Sequence, residues 1–408
     1  MNVLEVNFTD LDGRIFNGYD LHLSLNEIEG VNALQYVLNK DSTTESVRVF
    51  CSDPIIHQEL LYLEQKNSIS QLLAPYGRQL LREEAFRKAD VVHLHILHND
   101  VISLLDLPEI MDRDNVVWTI HDPWAVTGNC IHPLECRKWR TGCCNCEKLE
   151  LPGRKMSVDN TSQMWELKQK IFSRINPYIV VASDFMRKYI EESPLTSHWN
   201  RIFQIPFGVK EKYFETFSQK ECRRRFGISM ESFVIGFRMQ EGEIKGCRYL
   251  LEALEKLSDS LPIHLFAVGN QILPERIRRQ YSYTGPVWFK EEDMIDFYRC
   301  LDVFVMPSLA ESFGMMAIEA MACETAVICF KLTALEKITH APEYGIAVEY
   351  KSSRQIGEAI RQLITDRNKL IIKKEQGKRF VERTYSYTTY VSRHLKLYEK
   401  IQKEAFKK

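Results

Sequence analysis

The chain has 408 residues, with 54 Lys+Arg against 55 Asp+Glu and a formal net charge of −1, a length that predicts two or three domains. Its 45% hydrophobic and 27% charged content matches an ordinary soluble protein able to bury sizeable cores. The near-zero charge argues against a dedicated nucleic-acid binder, and no run of about 18 apolar residues offers a transmembrane helix.

The start, Met1-Asn2-Val3-Leu4-Glu5-Val6, lacks the basic and then apolar regions of a secretory signal, so none is expected. Residues 3–8 read as a short strand. A polar, glycine-bearing stretch follows to Gly18, then a helical pattern from about Tyr19. Apolar runs at 47–50, 91–95, 116–120 and 178–182 read as buried parallel strands, with amphipathic stretches between most of them. Ile202 to Val209 closes this series with Pro206 and Gly208. A second series has strands at 233–237, 264–268, 303–306 and 326–330, with helical patterns between them such as 249–257. Two α/β series of similar length predict two Rossmann-like domains with a boundary near residue 208. The last 25 residues predict a helix carrying Tyr390, Val391, His394, Leu395, Tyr398 and Ile401 at helical spacing. The clusters Arg223-Arg224-Arg225 and Arg276 to Arg279 read as solvated helix faces.

The strongest constellation is Pro307-Ser308-Leu309-Ala310-Glu311-Ser312-Phe313-Gly314, continuing to Glu319-Ala320-Met321-Ala322. It follows a strand, and a strand–loop–helix turn presents backbone N–H groups to an anion. Ser312, Phe313 and Gly314 are the candidates to supply them. Glu311 and Glu319 stand eight residues apart, or about 12 Å along a helix. That span is comparable to a sugar and a ribose joined by a diphosphate. One carboxylate can then accept hydrogen bonds from sugar hydroxyls and the other from a ribose.

This run resembles the Glu-x7-Glu signature of retaining glycosyltransferases of the GT-B fold, particularly glycosyltransferase family 4. The match holds through Ala322. Beyond it, Glu324 stands where glycine is usual and Ala326 where proline is usual, so the next loop is expected to differ. Ile205 to Val209 matches the interdomain Pro-x-Gly-Val element. Arg238 with Lys245-Gly246 matches the Arg…Lys-Gly element that grips the donor diphosphate, with the longer intervening loop of polysaccharide-synthesis members. The chemistry agrees, because fixed cations stabilise a leaving diphosphate, arginine as a planar fork and lysine as a point charge. Asp10 to Tyr19 resembles the family's glycine-rich loop, with Asn17-Gly18 where a Gly-Gly pair is usual. Thr119-Ile120-His121-Asp122 resembles the His-Asp element whose histidine lies near the donor sugar. His93 and His95 alternate onto one face of a strand and are expected to be structural. Gly-x-Gly-x-x-Gly and Gly-x4-Gly-Lys-Ser/Thr motifs are both lacking, which counts against dinucleotide oxidoreductases and P-loop nucleotidases.

The odd count of eleven cysteines predicts no full disulfide framework but reduced thiols or a metal site. Five of the eleven fall between Cys130 and Cys146. Cys130, Cys136, Cys143 and Cys146 could make a tetrahedral zinc site, with Cys143-x-x-Cys146 the most zinc-like spacing. His132 is an alternative ligand, Cys144 a bystander, and a set of reduced thiols the competing reading. Part of the family has a similar Cys-rich insertion after the His-Asp element.

The resemblance implies an α/β GT-B fold: two Rossmann-like domains facing a central cleft, with a C-terminal helix crossing back to the first. Residues 1–208 with 386–408 would be the acceptor side, and 209–385 would bind the nucleotide sugar. It further implies transfer, with retention, from a nucleotide-diphosphate sugar, most simply a UDP-sugar, to a saccharide or lipid-linked saccharide. His121, Glu311, Arg238 and Lys245 would form the catalytic set. Gly18, Asp122, Ser312, Phe313, Gly314 and Glu319 would bind the donor. No cofactor is required for catalysis. A cytoplasmic protein is expected, with peripheral contact at the inner membrane face if the acceptor is lipid-linked. The rivals are a GT-B epimerase or phosphorylase, and an inactive GT-B scaffold.

Overall fold

The computed structural model describes residues 1–13, 15–150, 156–257 and 261–405. Arg14, within the glycine-bearing loop, lies outside the described residues. The chain divides into two compact units: Met1–Pro206 joined by the C-terminal residues from Val391 on, and Phe207–Tyr390.

The first unit holds a seven-stranded sheet of β1 (Asn2–Thr9), β2 (Asn32–Asn39), β3 (Val47–Val49), β4 (Val91–Leu94), β5 (Val116–Ile120), β6 (Tyr178–Val181) and β7 (Ile202–Gln204), in the order β3-β2-β1-β4-β5-β6-β7. Every pairing is parallel. The central strands β4, β5 and β6 are buried along their whole length, which is why they read as nearly continuous apolar runs, interrupted only by His93 and Thr119.

The second unit repeats the plan. Its strands are β8 (Phe233–Met239), β9 (Ile263–Gly269), β10 (Ser282–Val287), β11 (Val303–Met306), β12 (Ala326–Phe330) and β13 (Ile346–Val348), in the order β10-β9-β8-β11-β12-β13. All pairs are again parallel. In each unit the chain order reverses once, between β1 and β4 and between β8 and β11. In open α/β sheets, ligands bind outside the carboxyl ends of the strands at such a reversal. The candidate residues cluster at these ends: the loop after β1 and His121 after β5 in one unit, and Arg238 and Pro307 to Gly314 in the other.

The final helix runs from Tyr387 to Ala405, and its residues from Val391 on group with the first unit. Two expectations change. Arg223 is no solvated charge: it is 2% exposed, bonded to Asp302 at 2.8 Å and to the carbonyls of Cys300 and Ser232. Its forked donors tie the helix Gln219–Arg225 to the sheet. Glu324 takes the left-handed conformation, φ 53°, that a glycine would favour there. The loop therefore keeps its turn despite the substitution, and Lys378 bonds the Glu324 carboxylate at 2.9 Å.

Candidate functional site

In the second unit, Arg238 lies near the end of β8 and Lys245 on the loop that follows. Gly246, φ 64°, caps the helix Cys247–Leu254. A Cβ there would lie 1.8 Å from the Pro307 carbonyl oxygen, so only glycine lets this loop close onto the end of β11. The Leu309 N–H donates to the Ile244 carbonyl at 2.7 Å and completes the join. The two motif segments thus form one surface. Lys245 Nζ meets Glu311 Oε1 at 2.5 Å, and Ser308 Oγ donates to the same oxygen at 3.1 Å. The Arg238 guanidinium lies 4.9 Å over the Trp288 ring. Its Nε is buried without a hydrogen-bond partner, and burial lowers its pKa while Glu311 opposes that shift. A buried, unpartnered donor on a guanidinium is the kind of group an anionic ligand satisfies.

The signature divides its labour. Gly314 begins the helix Met315–Ala322, which has no side-chain cap; the Ala317 N–H donates to the Gly314 carbonyl at 3.0 Å, and the N–H groups before it are the ones a helix start presents to a ligand or solvent. The Phe313 side chain is 3% exposed and meets Phe207 and Tyr385 edge-on at 5.4 and 5.7 Å. It is a packing anchor that holds its own backbone at the loop. Glu319 is half-buried one turn on. Desolvation pushes its carboxyl up to about 7 although Tyr298 OH donates to it, at 2.8 Å.

In the first unit, Gly18 has φ 76° and caps the helix Tyr19–Asn26. A Cβ at Gly18 would sit 2.4 Å from His95 Nε2. Asn17 fixes the turn by donating to the Leu11 carbonyl and accepting from the Tyr19 N–H. The His95 and His121 rings lie 5.9 Å apart. Burial, with His95 adding to it, brings the His121 pKa down to about 3, so its imidazole is neutral at physiological pH. Burial works against the Asp122 charge, yet His98 and the Trp124 N–H hold its pKa down to about 2. The His98 contact is 2.8 Å. Asp122 thus caps the short helix Pro123–Val126 and pairs with His98.

His93 is structural, as expected: its ring nitrogens lie 2.6 Å from Tyr398 OH and from Thr119 Oγ1. Glu5, His93 and His95 bring three potential ligand atoms within 4.8 Å of one another. With both His93 nitrogens engaged and Glu5 flanked by His22 and His95 at 3.2 and 3.5 Å, this group is a buried cluster of paired side chains. Sequence reasoning passed over Tyr298, Trp288 and His98, which lie outside any motif. Ser308 was visible only as part of the Pro-Ser pair.

Five cysteines, Cys130, Cys136, Cys143, Cys144 and Cys146, line one cavity of about 310 Å³. All are free thiols, and only Cys144 of the five is exposed. Burial pushes Cys130 up to about 12 and Cys143 up to about 11.

Residues 232–366 match the family model for glycosyl transferases group 1. This segment is similar to the group 1 glycosyltransferases. The chain is 25% identical over 241 residues to the D-inositol 3-phosphate glycosyltransferase of Corynebacterium urealyticum, covering 55% of this chain and 56% of that one. It is 27% identical over 232 residues to the capsular polysaccharide biosynthesis glycosyltransferase CapM of Staphylococcus aureus, covering 54% and 60%. The chain spans about half the length of the curated relatives it matches. Its fold is that of Anabaena HepE, solved with UDP and glucose, at TM-score 0.68, 14% identity and coverage of 97% and 99%. Sucrose-phosphate synthase of Thermosynechococcus elongatus gives TM-score 0.71 at 16% identity, covering 98% and 99%. These likenesses establish the GT-B fold expected from the motifs. Among the described residues no helix is long and apolar enough to cross a membrane.

Proposed function

We propose that this chain is a group 1 glycosyltransferase and works within a retaining enzyme that moves a sugar from a nucleoside diphosphate sugar to a saccharide or lipid-linked saccharide. UDP is the favoured carrier. The observation that carries the reading is the joined surface at the β8–β11 reversal, where Arg238, Lys245, Glu311 and an uncapped helix start meet. Its chemistry suits a diphosphate flanked by hydroxyl-rich groups. HepE, solved in complex with UDP and glucose, supports the choice of donor.

In this reading Arg238 and Lys245 contact the diphosphate and stabilise the charge that grows on it as the glycosidic bond breaks. Glu311, already holding Lys245 in place, accepts hydrogen bonds from the sugar. Glu319, oriented by Tyr298, accepts from the ribose hydroxyls. Ser312, Phe313 and Gly314 offer backbone N–H groups. On the first unit, the motif assigns neutral His121 a hydrogen bond to the sugar, Gly18 a backbone approach to the donor and Asp122 a supporting place beside His98. Peripheral membrane contact follows if the acceptor is lipid-linked.

The test is a panel of nucleotide sugars incubated with and without acceptor saccharides, reading nucleoside diphosphate release. Release that requires acceptor, and that is lost in Lys245→Ala and Glu319→Ala with folding intact, is the expected result. Near-normal turnover in both variants sinks the site assignment. Epimerised donor without acceptor, or a requirement for inorganic phosphate, would favour the epimerase or phosphorylase. No nucleotide binding by calorimetry would leave a scaffold.

A further inference from the structure

The cysteine-lined cavity lies apart from every residue given a role above. The segment from Thr127 to Asn160 contains, among its described residues, one three-residue helical turn, Lys138–Arg140, and no strand or α-helix. Segments this long without regular structure are uncommon inside a compact domain unless something else fixes them. The described residues anchor its two ends, where Ser70 Oγ donates to Asn129 and the Val158 N–H donates to Ser68 Oγ, while its middle carries mostly bonds within the segment. Lys138 Nζ donates to the Asn145 carbonyl, and the Cys146 N–H donates to Asp159. Trp139 is buried. Four half-buried thiols and the exposed Cys144 line one cavity.

We propose that Cys130, Cys136, Cys143 and Cys146 bind one zinc ion that cross-links this segment. Thiolates are the preferred ligands of structural zinc, and four of them close its tetrahedral shell. All five cysteines line the cavity, and burial selects four of them: Cys130, Cys136, Cys143 and Cys146 are partly buried, whereas Cys144 is exposed. The Gly128 N–H donates to Cys143 Sγ at 3.2 Å, the kind of outer contact that stabilises and orients a thiolate ligand. A zinc tetrathiolate carries a net charge of about −2, from four thiolates and one divalent cation. Arg137, Lys138 and Lys148 on the cavity lining oppose that charge, and Glu135 and Glu147 on the same lining offset part of their effect.

Zn–S bonds of about 2.3 Å set tetrahedral sulfurs about 3.8 Å apart. Among the described residues, only Glu5, His93 and His95 bring three ligand atoms within 4.8 Å of one another. The thiols must therefore draw together on the ion, and the cavity of about 310 Å³ leaves room for that rotation. The role is structural. It ties four points of one segment together, and none of the glycosyl-transfer assignments depends on it.

The test uses the full chain, purified without chelator and dialysed against metal-free buffer. Metal analysis should find about one zinc per chain, as expected for a single closed tetrathiolate site. Chelator treatment should lower Tm, and added zinc should restore it. Cobalt(II) reconstitution should give intense tetrahedral d–d bands with sulfur-to-cobalt charge transfer. A Cys143→Ser, Cys146→Ser double variant should lose the metal, whereas Cys144→Ser should keep it. If the double variant fails to fold, the cobalt spectrum of the unaltered chain decides. The proposal is overturned by a chain that takes up no zinc with its thiols titrated as free, by weak octahedral cobalt bands, or by loss of metal in Cys144→Ser. Transfer activity is not a readout, so failure here leaves the proposed function untouched.

Discussion

Glu319 shows how burial alone can give a motif residue a measurable signature. Its carboxyl, pushed up to about 7 from 4.5 by desolvation against the Tyr298 hydrogen bond, binds its proton more tightly in the folded than in the unfolded chain. Between about pH 4.5 and pH 7 the folded state holds more protons, so stability falls as pH rises through that window. A shift of this size corresponds to about 3 kcal/mol at most, and solvent at a half-buried site reduces it to about 1–2 kcal/mol. Glu319→Gln keeps an acceptor for Tyr298 and removes the titration. Its denaturation midpoint should exceed that of the unaltered chain above pH 7, and the two should converge near pH 4.5. Parallel curves across that range would show that Glu319 titrates normally.

At the scale of elements, the site depends on one loop closing on one strand end. A Gly246→Ala variant must place a Cβ 1.8 Å from the Pro307 oxygen at φ 64°. Gly242→Ala meets nothing within 4 Å at φ 94°, so it isolates the backbone cost, about 1–2 kcal/mol. Gly246→Ala should lose clearly more stability by chemical denaturation, and nucleotide affinity should fall with it as Lys245 shifts from Glu311. Equal losses in the two variants would show that the contact with Pro307 is unimportant. Lys245-Gly246 was legible in the sequence as a motif, but the partner that makes glycine necessary was not. The central strands were equally legible, because burial on both faces leaves nearly continuous apolar runs. Strands β2, β10 and β13 were not. Gln35 interrupts β2 and is fully buried, β10 contains the turn-like pair Gly285-Pro286, and β13 has only three residues. Arg223 looked like surface charge because sequence shows its charge and not Asp302, which lies far away in the chain and pairs with it. The carboxylates, cations and histidines of the candidate site were visible through their motifs. Their partners Tyr298, Trp288 and His98 were not, since they arrive from other elements.

At the scale of the molecule, the chain builds one sheet, then a second, and returns to finish the first unit with its last helix. Leu397, Tyr398 and Ile401 are at most 4% exposed, and Tyr398 OH lies 2.6 Å from His93 on β4. Each such side chain contributes about 1.5–3 kcal/mol by burial, so the three together contribute about 5–9 kcal/mol. That approaches the whole stability of an ordinary domain, about 5–15 kcal/mol. Removing residues 391–408 should therefore unfold the first unit, or bring it to the edge of unfolding, while the second keeps its own sheet and core. The signals separate cleanly. Of the six tryptophans, Trp118, Trp124, Trp139, Trp165 and Trp199 lie in the first unit and only Trp288 in the second. Tryptophan emission should shift to that of exposed rings in the truncated chain. Binding of a nucleoside diphosphate, assigned to Arg238, Lys245 and Glu319, should persist. At 100 times its dissociation constant that ligand should still stabilise the second unit by about 2.7 kcal/mol. Unchanged emission would mean that the returning helix does not hold the first unit together. Loss of nucleotide binding together with the emission shift would mean that the two units fold as one.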